Sequence, residues 1–491
     1  MENLTATTRG AAWAERLRLG RRQTKYFVWG LGGMLVLAIG GSLLFFDLGA
    51  RVLATNDDTR FPMLARDVLA HGTWWVPRLN GIPHLNKPPL HAWLIALLAW
   101  PAGTVTQHNA AVASLLAALV VVITTAWIGR RLFDAASGLI AGAVVITTYG
   151  VFTVARQPLP DMTMCAAMTA AMGAYVVYDQ GHRRGALVAF YALTAVAFWA
   201  KGPAGLLPLV VAVADTAARS GRRGLRRFVV SSGFVVLLAL LALWWVVATT
   251  LDRRQFVHDV VITDSLLWYV PTSTWHAKLV TEPFVQALTI FAPWCVLLPL
   301  AIWAAVRTRE TAQARSCRLL LLWAGTMFVL LGLSAQQRMR YYLPLAAPLA
   351  LIIAAWWPRL PLRRPRTVFV LAWSVAALGV TVWHVHETRR DNATTDLGAI
   401  VREIVSAPPG PVYAVDVPEL VISFYSWTPV TALASIEDFE PRPGHVVVAD
   451  RALRAGVPTG LCRTARGLVN RRAVSLLTSG PCPSGRVGDS Q

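Results

Sequence analysis

The chain has 491 residues, 55% of them hydrophobic and only 15% charged, with a net charge of +20 and a mean hydropathy of +0.50. Soluble globular chains are about a quarter charged, so a water-soluble fold of this length would expose a large apolar surface and is excluded. The basic residues stand in short clusters between long apolar runs rather than on one aromatic-studded face; this excludes nucleic-acid binding and is the positive-inside pattern of a membrane protein.

In chain order, residues 1–26 form a basic N-terminus with Arg9, Arg16, Arg18, Arg21, Arg22 and Lys25. An apolar run over 27–46 follows. It is about twenty residues long, enough to cross the hydrocarbon and too long for the core of a cleaved signal peptide. The spacing predicts an uncleaved first span with its N-terminus in the cytoplasm. Residues 47–109 then form a first outer loop. Helical spacing over 61–70 predicts an interfacial amphipathic helix. The apolar run 90–100 is too short to span and predicts a second helix along the membrane, entered through Lys87-Pro88-Pro89.

Further spans are predicted over 110–128, 136–154 and 162–178, followed by two shorter apolar segments around Lys201-Gly202-Pro203. The pattern continues with 228–249, an outer loop over 251–282 containing Trp268, Tyr269, Trp275 and His276, and spans over 283–306, 319–334, 341–357 and 367–385. The total is about eleven spans, and the strongly basic clusters between them fall on one side. The transmembrane domain is thus 27–385. Residues 386–491 change character. A helix-like stretch at 397–405 precedes short β-type runs at 412–415, 420–424 and 446–448, separated by turn residues, so a small α/β domain is predicted on the outer side. Cys462 and Cys482 in this tail either bridge in an oxidising compartment or stand as two free thiols.

Charge at membrane depth is costly and marks function by default. Three outer segments stand out: Asp57-Asp58-Thr59-Arg60, Lys87-Pro88-Pro89, and Arg156 through Asp161. Brought to one cavity, two carboxylates can orient or deprotonate an acceptor, while lysine and arginine hold a phosphate as it leaves. The same residues also fit plain structural roles. Asp57-Asp58-Thr59-Arg60 can cap a helix, and Lys87 can be a snorkelling lysine on a rigid turn.

Asp57-Asp58-Thr59-Arg60-Phe61, Trp75-Val76-Pro77-Arg78-Leu79-Asn80-Gly81 and Lys87-Pro88-Pro89-Leu90 together resemble the first outer loop of the lipid A aminoarabinose transferases. These belong, with the protein O-mannosyltransferases, to the GT-C class of membrane glycosyltransferases. Arg156 to Met162, Lys201-Gly202-Pro203 and Arg340-Tyr341-Tyr342-Leu343-Pro344 fit the same pattern in the same order. The resemblance implies an inverting transferase using a polyprenyl-phosphate-linked sugar. It implies Asp57 and Asp161 as catalytic or acceptor-orienting carboxylates and Lys87 on the donor phosphate. It also implies substrate contacts from Asp58, Arg60, Arg156, Lys201, Arg340, Tyr341 and Tyr342.

Two positions depart from that pattern. Asn86 stands where an acidic residue commonly precedes Lys-Pro-Pro, and Asp58 where glutamate is commoner. Asn86 removes a negative charge beside the site and weakens any carry-over of a metal ligand, so no metal and no cofactor are expected.

The sequence thus reads as a polytopic α-helical membrane protein of GT-C type in a bacterial inner membrane. A C-terminal periplasmic α/β domain follows its spans. The sugar donor is lipid-linked and the acceptor is an envelope lipid or glycan, with lipid A first. Protein O-mannosylation is the nearest alternative. A lipid-linked sugar transporter is the alternative of another class, although the internal repeats that such folds carry are not visible. The orientation predicts that a cysteine placed at Arg222 reacts with an impermeant thiol probe only from the cytoplasmic side; labelling from the periplasm would invert the topology and the site with it.

Overall fold

The computed structural model describes residues 38–266, 275–309, 311–334, 336–439, 444–453 and 456–479. Of the predicted first span, residues 27–37 lie outside this set, and 38–45 are helical, labelled α1. The first outer loop holds the two predicted helices, α2 (Asn56–His71) and α3 (Leu90–Ala99). Phe61, Leu64, Ala65 and Val68 of α2 pack against Ala92, Ile95, Ala96 and Ala99 of α3, so each short helix buries one apolar stripe on the other.

Between them β1 (Arg78–Leu79) and β2 (Ile82–Pro83) form an antiparallel hairpin. Its turn residues are Asn80 (φ 49°) and Gly81 (φ 86°). A two-residue hairpin turn of this hand requires positive φ at both positions, which Asn-Gly supplies with least strain.

The membrane domain continues through α4 (Gln107–Leu132), α5 (Ala135–Ile146), α6 (Tyr149–Val154), α7 (Pro160–Gly181), α8 (Arg184–Lys201), α9 (Leu207–Val229) and α10 (Ser232–Phe256). It then runs through α11 (Trp275–Ile290), α12 (Leu298–Arg307), α13 (Thr311–Gly332), α14 (Ala346–Trp356) and α15 (Pro365–Ala393). Among the described residues, five stretches are long and apolar enough to cross a bilayer: Gln107–Leu132, Ser232–Arg254, Ala312–Gly332, Met339–Arg359 and Pro365–Ala393. Thr281–Ile290 with Trp294–Arg307 makes a sixth if read as one bent span. At the centre α7 is buried along most of its length, and α14 is buried on every face from Ala346 to Ala355. A helix apolar all round belongs inside a bundle rather than at its surface.

Several predicted elements need correction. The span over 136–154 is two helices, α5 and α6. The hydroxyls of Thr147 and Thr148 donate back to carbonyls of the preceding turn, and the Tyr149 amide donates to the Ala292 carbonyl at 2.8 Å. These bonds satisfy the backbone where the helix stops. The span over 283–306 bends by 111° at its break. Pro293, which has no N–H to continue a helix, sits in that break. The outer loop over 251–282 is largely helical: α10 runs to Phe256, Val257–Leu266 forms a π-helical stretch, and α11 begins at Trp275. Trp268 and Tyr269 lie outside the described residues.

The C-terminal region is an α/β unit. It contains α16 (Gly398–Ser406), β3 (Val412–Val415), α17 (Glu419–Ser426), β4 (Val430–Leu433), β5 (His445–Ala449), β6 (Leu461–Val469) and β7 (Arg472–Ser479). The strand order is β4-β3-β5-β7-β6, with β3 parallel to β4 and β5, and β7 antiparallel to β5 and β6. The run 420–424, predicted as strand, is helix α17. It is buried on consecutive residues because it lies between the sheet and α2, and a short, fully buried apolar run has no periodicity to separate helix from strand. Cys462 is disulfide-bonded, while Cys165, Cys295 and Cys317 are free thiols; Cys482 lies outside the described residues.

Polar contacts dock this unit on the first outer loop. Asn80 donates to the Val430 carbonyl at 2.7 Å and accepts from Ser423 at 2.9 Å. The Tyr425 hydroxyl accepts from the Leu53 amide at 2.9 Å. Arg66 of α2 stacks on Trp427 at 3.5 Å and on Phe424 at 4.2 Å, and donates to the Phe424 carbonyl at 2.7 Å. Replacing Arg66 by alanine removes a two-ring cation–π contact and a charged hydrogen bond, together about 2–4 kcal/mol of docking free energy. Amide exchange in α17 is expected to speed up in that variant while exchange in α7 stays slow.

Candidate functional site

One cavity of about 830 Å³ opens where the first loop, the ends of α7, α8 and α13, the turn before α14 and the C-terminal unit meet. Each element presents its side chain for a local reason. Thr55 caps α2 by accepting from the Asp58 amide, which places Asp57 in the first helical turn, where the helix dipole favours an anion. Asp161 holds the same position in α7, after Pro160 at its start. Its approach segment is tied down by a hydrogen bond from Ser114 to the Leu159 carbonyl at 3.1 Å. Lys201 ends α8, and the next residue, Gly202, has φ 94° and ψ −151°. Only glycine adopts that backbone readily, so the Lys-Gly-Pro motif is a helix stop that leaves a lysine facing the cavity. Arg340 and Tyr341 lie in the 3-10 turn Met339–Leu345.

These groups form one charged network. Lys201 pairs with Asp161, and its ammonium lies 4.3 Å from the centre of the Tyr341 ring. Arg340 donates to Asp57 at 2.7 Å and stands 3.8 Å from Asp161, an ion pair rather than a hydrogen bond. Arg338 also pairs with Asp57, and Arg60 lies 3.3 Å from it. Burial alone would raise the Asp57 pKa; the hydrogen bond and charge of Arg340, with Arg60 and Arg338, outweigh it and hold the carboxyl at about 2. Lys87 lines the same cavity, on a strip in which Leu85 is fully buried beside Trp199 and Trp244 while His84 and Asn86 face the cavity. Burial and the nearby charges of Arg60 and Lys87 push His84 down to about 3, so its ring is neutral. Its Nε2 is buried with no hydrogen-bond partner among the described residues.

The cavity thus gathers Asp57, Arg60, Lys87, Asp161, Lys201, Arg340 and Tyr341. Three other residues singled out from the sequence face elsewhere. Asp58 accepts a hydrogen bond from Thr55 at 2.7 Å and closes the α2 cap. Arg156 is buried, stacked 3.7 Å over Phe152, and donates to the carbonyls of Leu43, Phe46 and Phe152, so it pins α1 to α6. Tyr342 is buried with its hydroxyl on Gln337.

Two charged cavity residues went unselected from the sequence. Arg338 had a signal, an Arg-x-Arg just outside a span. Glu419 had none, since it stands far along the chain in an ordinary polar tail. Among the described residues no group of three or more His, Cys, Asp or Glu has a geometry fit to hold a metal ion.

The family profile of dolichyl-phosphate-mannose-protein mannosyltransferases matches residues 86–245. The undecaprenyl phosphate-alpha-4-amino-4-deoxy-L-arabinose arabinosyl transferase of Pectobacterium carotovorum is 24% identical over 393 residues, 76% of this chain and 69% of the relative. The corresponding transferase 1 of Sodalis glossinidius is 28% identical over 324 residues, 63% of this chain and 56% of the relative. The crystal structure of ArnT from Cupriavidus metallidurans superposes with a TM-score of 0.76 at 20% identity, covering 91% of this chain and 98% of that one. Its form bound to undecaprenyl phosphate gives 0.74, with 91% and 99% covered.

A helical bundle of this architecture, carrying a sheet unit over a cavity of buried carboxylates and cations, is the fold of the ArnT crystal structures, and the sequence is similar to membrane glycosyltransferases over most of its length. Among such enzymes its similarity is to the aminoarabinose transferases, in sequence and in fold.

The Asp57 pKa lies below its unfolded value of 3.8. The stability this ionised group contributes is therefore present above about pH 4 and lost as pH falls towards 2. Wild type and Asp57→Asn are expected to differ in stability by a constant amount from about pH 8 to 5, with the gap closing below about pH 4. Thermal unfolding in detergent across that range checks it.

Proposed function

We propose that the protein transfers a sugar from an undecaprenyl-phosphate-linked donor to an envelope lipid, lipid A foremost, at the periplasmic face of a bacterial inner membrane. We further propose about eleven membrane crossings, a cytoplasmic N-terminus and a periplasmic C-terminal unit. The disulfide at Cys462 fits an oxidising compartment. The names of the relatives give the donor, a 4-amino-4-deoxy-L-arabinose on undecaprenyl phosphate.

The observation that carries this reading is the placement of five cations, Arg60, Lys87, Lys201, Arg338 and Arg340, around Asp57 and Asp161 in one cavity. Such a surplus of positive charge suits a lipid phosphate. Lys87 and its cationic neighbours hold that phosphate. The acceptor oxygen attacks the anomeric carbon, the bond from that carbon to the phosphate oxygen breaks, and the phosphate leaves with the electron pair. Attack from the face opposite the phosphate inverts the anomeric centre. Cations fixed in place stabilise the leaving charge with little reorganisation.

Asp57 also helps choose the acceptor. A carboxylate held at about 2 is a weak base and draws a proton from a hydroxyl poorly. An acceptor phosphate is already nucleophilic and needs only to be positioned. This favours a phosphorylated lipid over a protein serine or threonine.

The test is transfer in native membranes, with envelope lipids read by mass spectrometry in wild type, Asp57→Asn and Lys87→Ala. Each variant is expected to lose one specific lipid glycoform by a factor of about 100 or more at normal protein level. Unchanged lipids in a null strain, together with loss of a modified protein, would replace this reading with protein glycosylation.

A further inference from the structure

Among the described residues three carboxylates line the cavity, and they are not equivalent. Asp57 is bound by Arg60, Arg338 and Arg340, and Asp161 by Lys201 and Arg340. Glu419, on the wall contributed by the C-terminal unit, has no ion pair among the described residues. Its carboxylate accepts one hydrogen bond, from the neutral side-chain amide of Asn56 at 2.9 Å, and Asn56 in turn accepts from the Leu420 amide at 3.2 Å. Glu419 opens α17, so the helix dipole supports its charge, and Asn56 fixes its direction.

An oriented, half-buried carboxylate with no ion pair among the described residues is free to accept a charge-assisted hydrogen bond from a cation that the substrate brings. Neither the lipid phosphate nor a phosphate acceptor supplies one. An ammonium group on the transferred sugar does. Resting on the transferase reading above, we propose that Glu419 is a specificity-determining residue that accepts a charge-assisted hydrogen bond from the amino group of the donor sugar. The discriminating wall of the site then belongs to the C-terminal unit, while the phosphate-holding wall belongs to the membrane domain.

The experiment compares two donors in purified full-length protein: undecaprenyl phosphate-4-amino-4-deoxy-L-arabinose and its analogue with a hydroxyl in place of the amine. Wild type is expected to favour the amino donor in kcat/KM by about tenfold to a hundredfold, the range of a hydrogen bond to a charged group. Glu419→Gln keeps the size of the side chain and an acceptor for Asn56 but removes the charge. It is expected to bring the two donors within about threefold of each other, mainly by raising KM for the amino donor. Glu419→Asp, which keeps the charge on a shorter arm, is expected to retain part of the preference.

Equal losses on both donors in Glu419→Gln would make Glu419 a structural strut and overturn the assignment. Full preference retained in that variant would overturn it as well. Transfer of neither donor by wild type would overturn the transferase reading, and this assignment with it.

Discussion

Asp161 is 1% exposed, and burying a carboxylate is costly unless cations face it. Lys201 and Arg340 supply them. A buried pair of this kind adds little net stability over an apolar core, but losing one partner strands a charge at a cost of about 3–5 kcal/mol. The network therefore acts as a register. It requires the start of α7, the end of α8 and the turn before α14 to meet at one point. Through Arg340 and Asp57 it also requires α2 to arrive there. The packing of the bundle can be apolar and permissive because these few ionic contacts specify where the helix ends belong.

The C-terminal unit is positioned by a different kind of contact. Its interface with the first loop relies on side-chain amides, hydroxyls and one stacked guanidinium rather than on an apolar seam. The Asn-Gly hairpin shows how one motif serves two levels. The turn needs positive φ, and the asparagine that provides it donates to the Val430 carbonyl of β4 and accepts from the Ser423 hydroxyl of α17. Polar contacts of this sort are directional and modest in strength, which suits an interface that sets the shape of a cavity.

The membrane class, the two short helices of the first loop and the central α/β strands were legible because hydropathy and periodicity report them directly. Asp57, Lys87, Asp161, Lys201 and Arg340, which line one cavity, stood out because charge beside an apolar run is conspicuous. The bend after Ile290 was hidden because hydropathy counts residues and is blind to direction. The helix at Glu419–Ser426 was hidden because burial on both faces erases its period. Asp58 and Arg156 looked like site residues because charge at a membrane boundary reads alike whether it caps a helix, pins carbonyls or meets a substrate. Glu419 could not be chosen because its place in the cavity arises from a meeting with Asn56, hundreds of positions away in the chain.

The composite wall of the cavity bears on how the protein comes into being. Membrane helices insert as they are synthesised, and the segment from Glu419 to Ala432 is made after the spans up to α15. A nascent chain with that bundle already in place still lacks the residues that close one side of the cavity. The site is thus completed only after the spans up to α15 have been made, when the later-made unit folds and seats against the loop before α4.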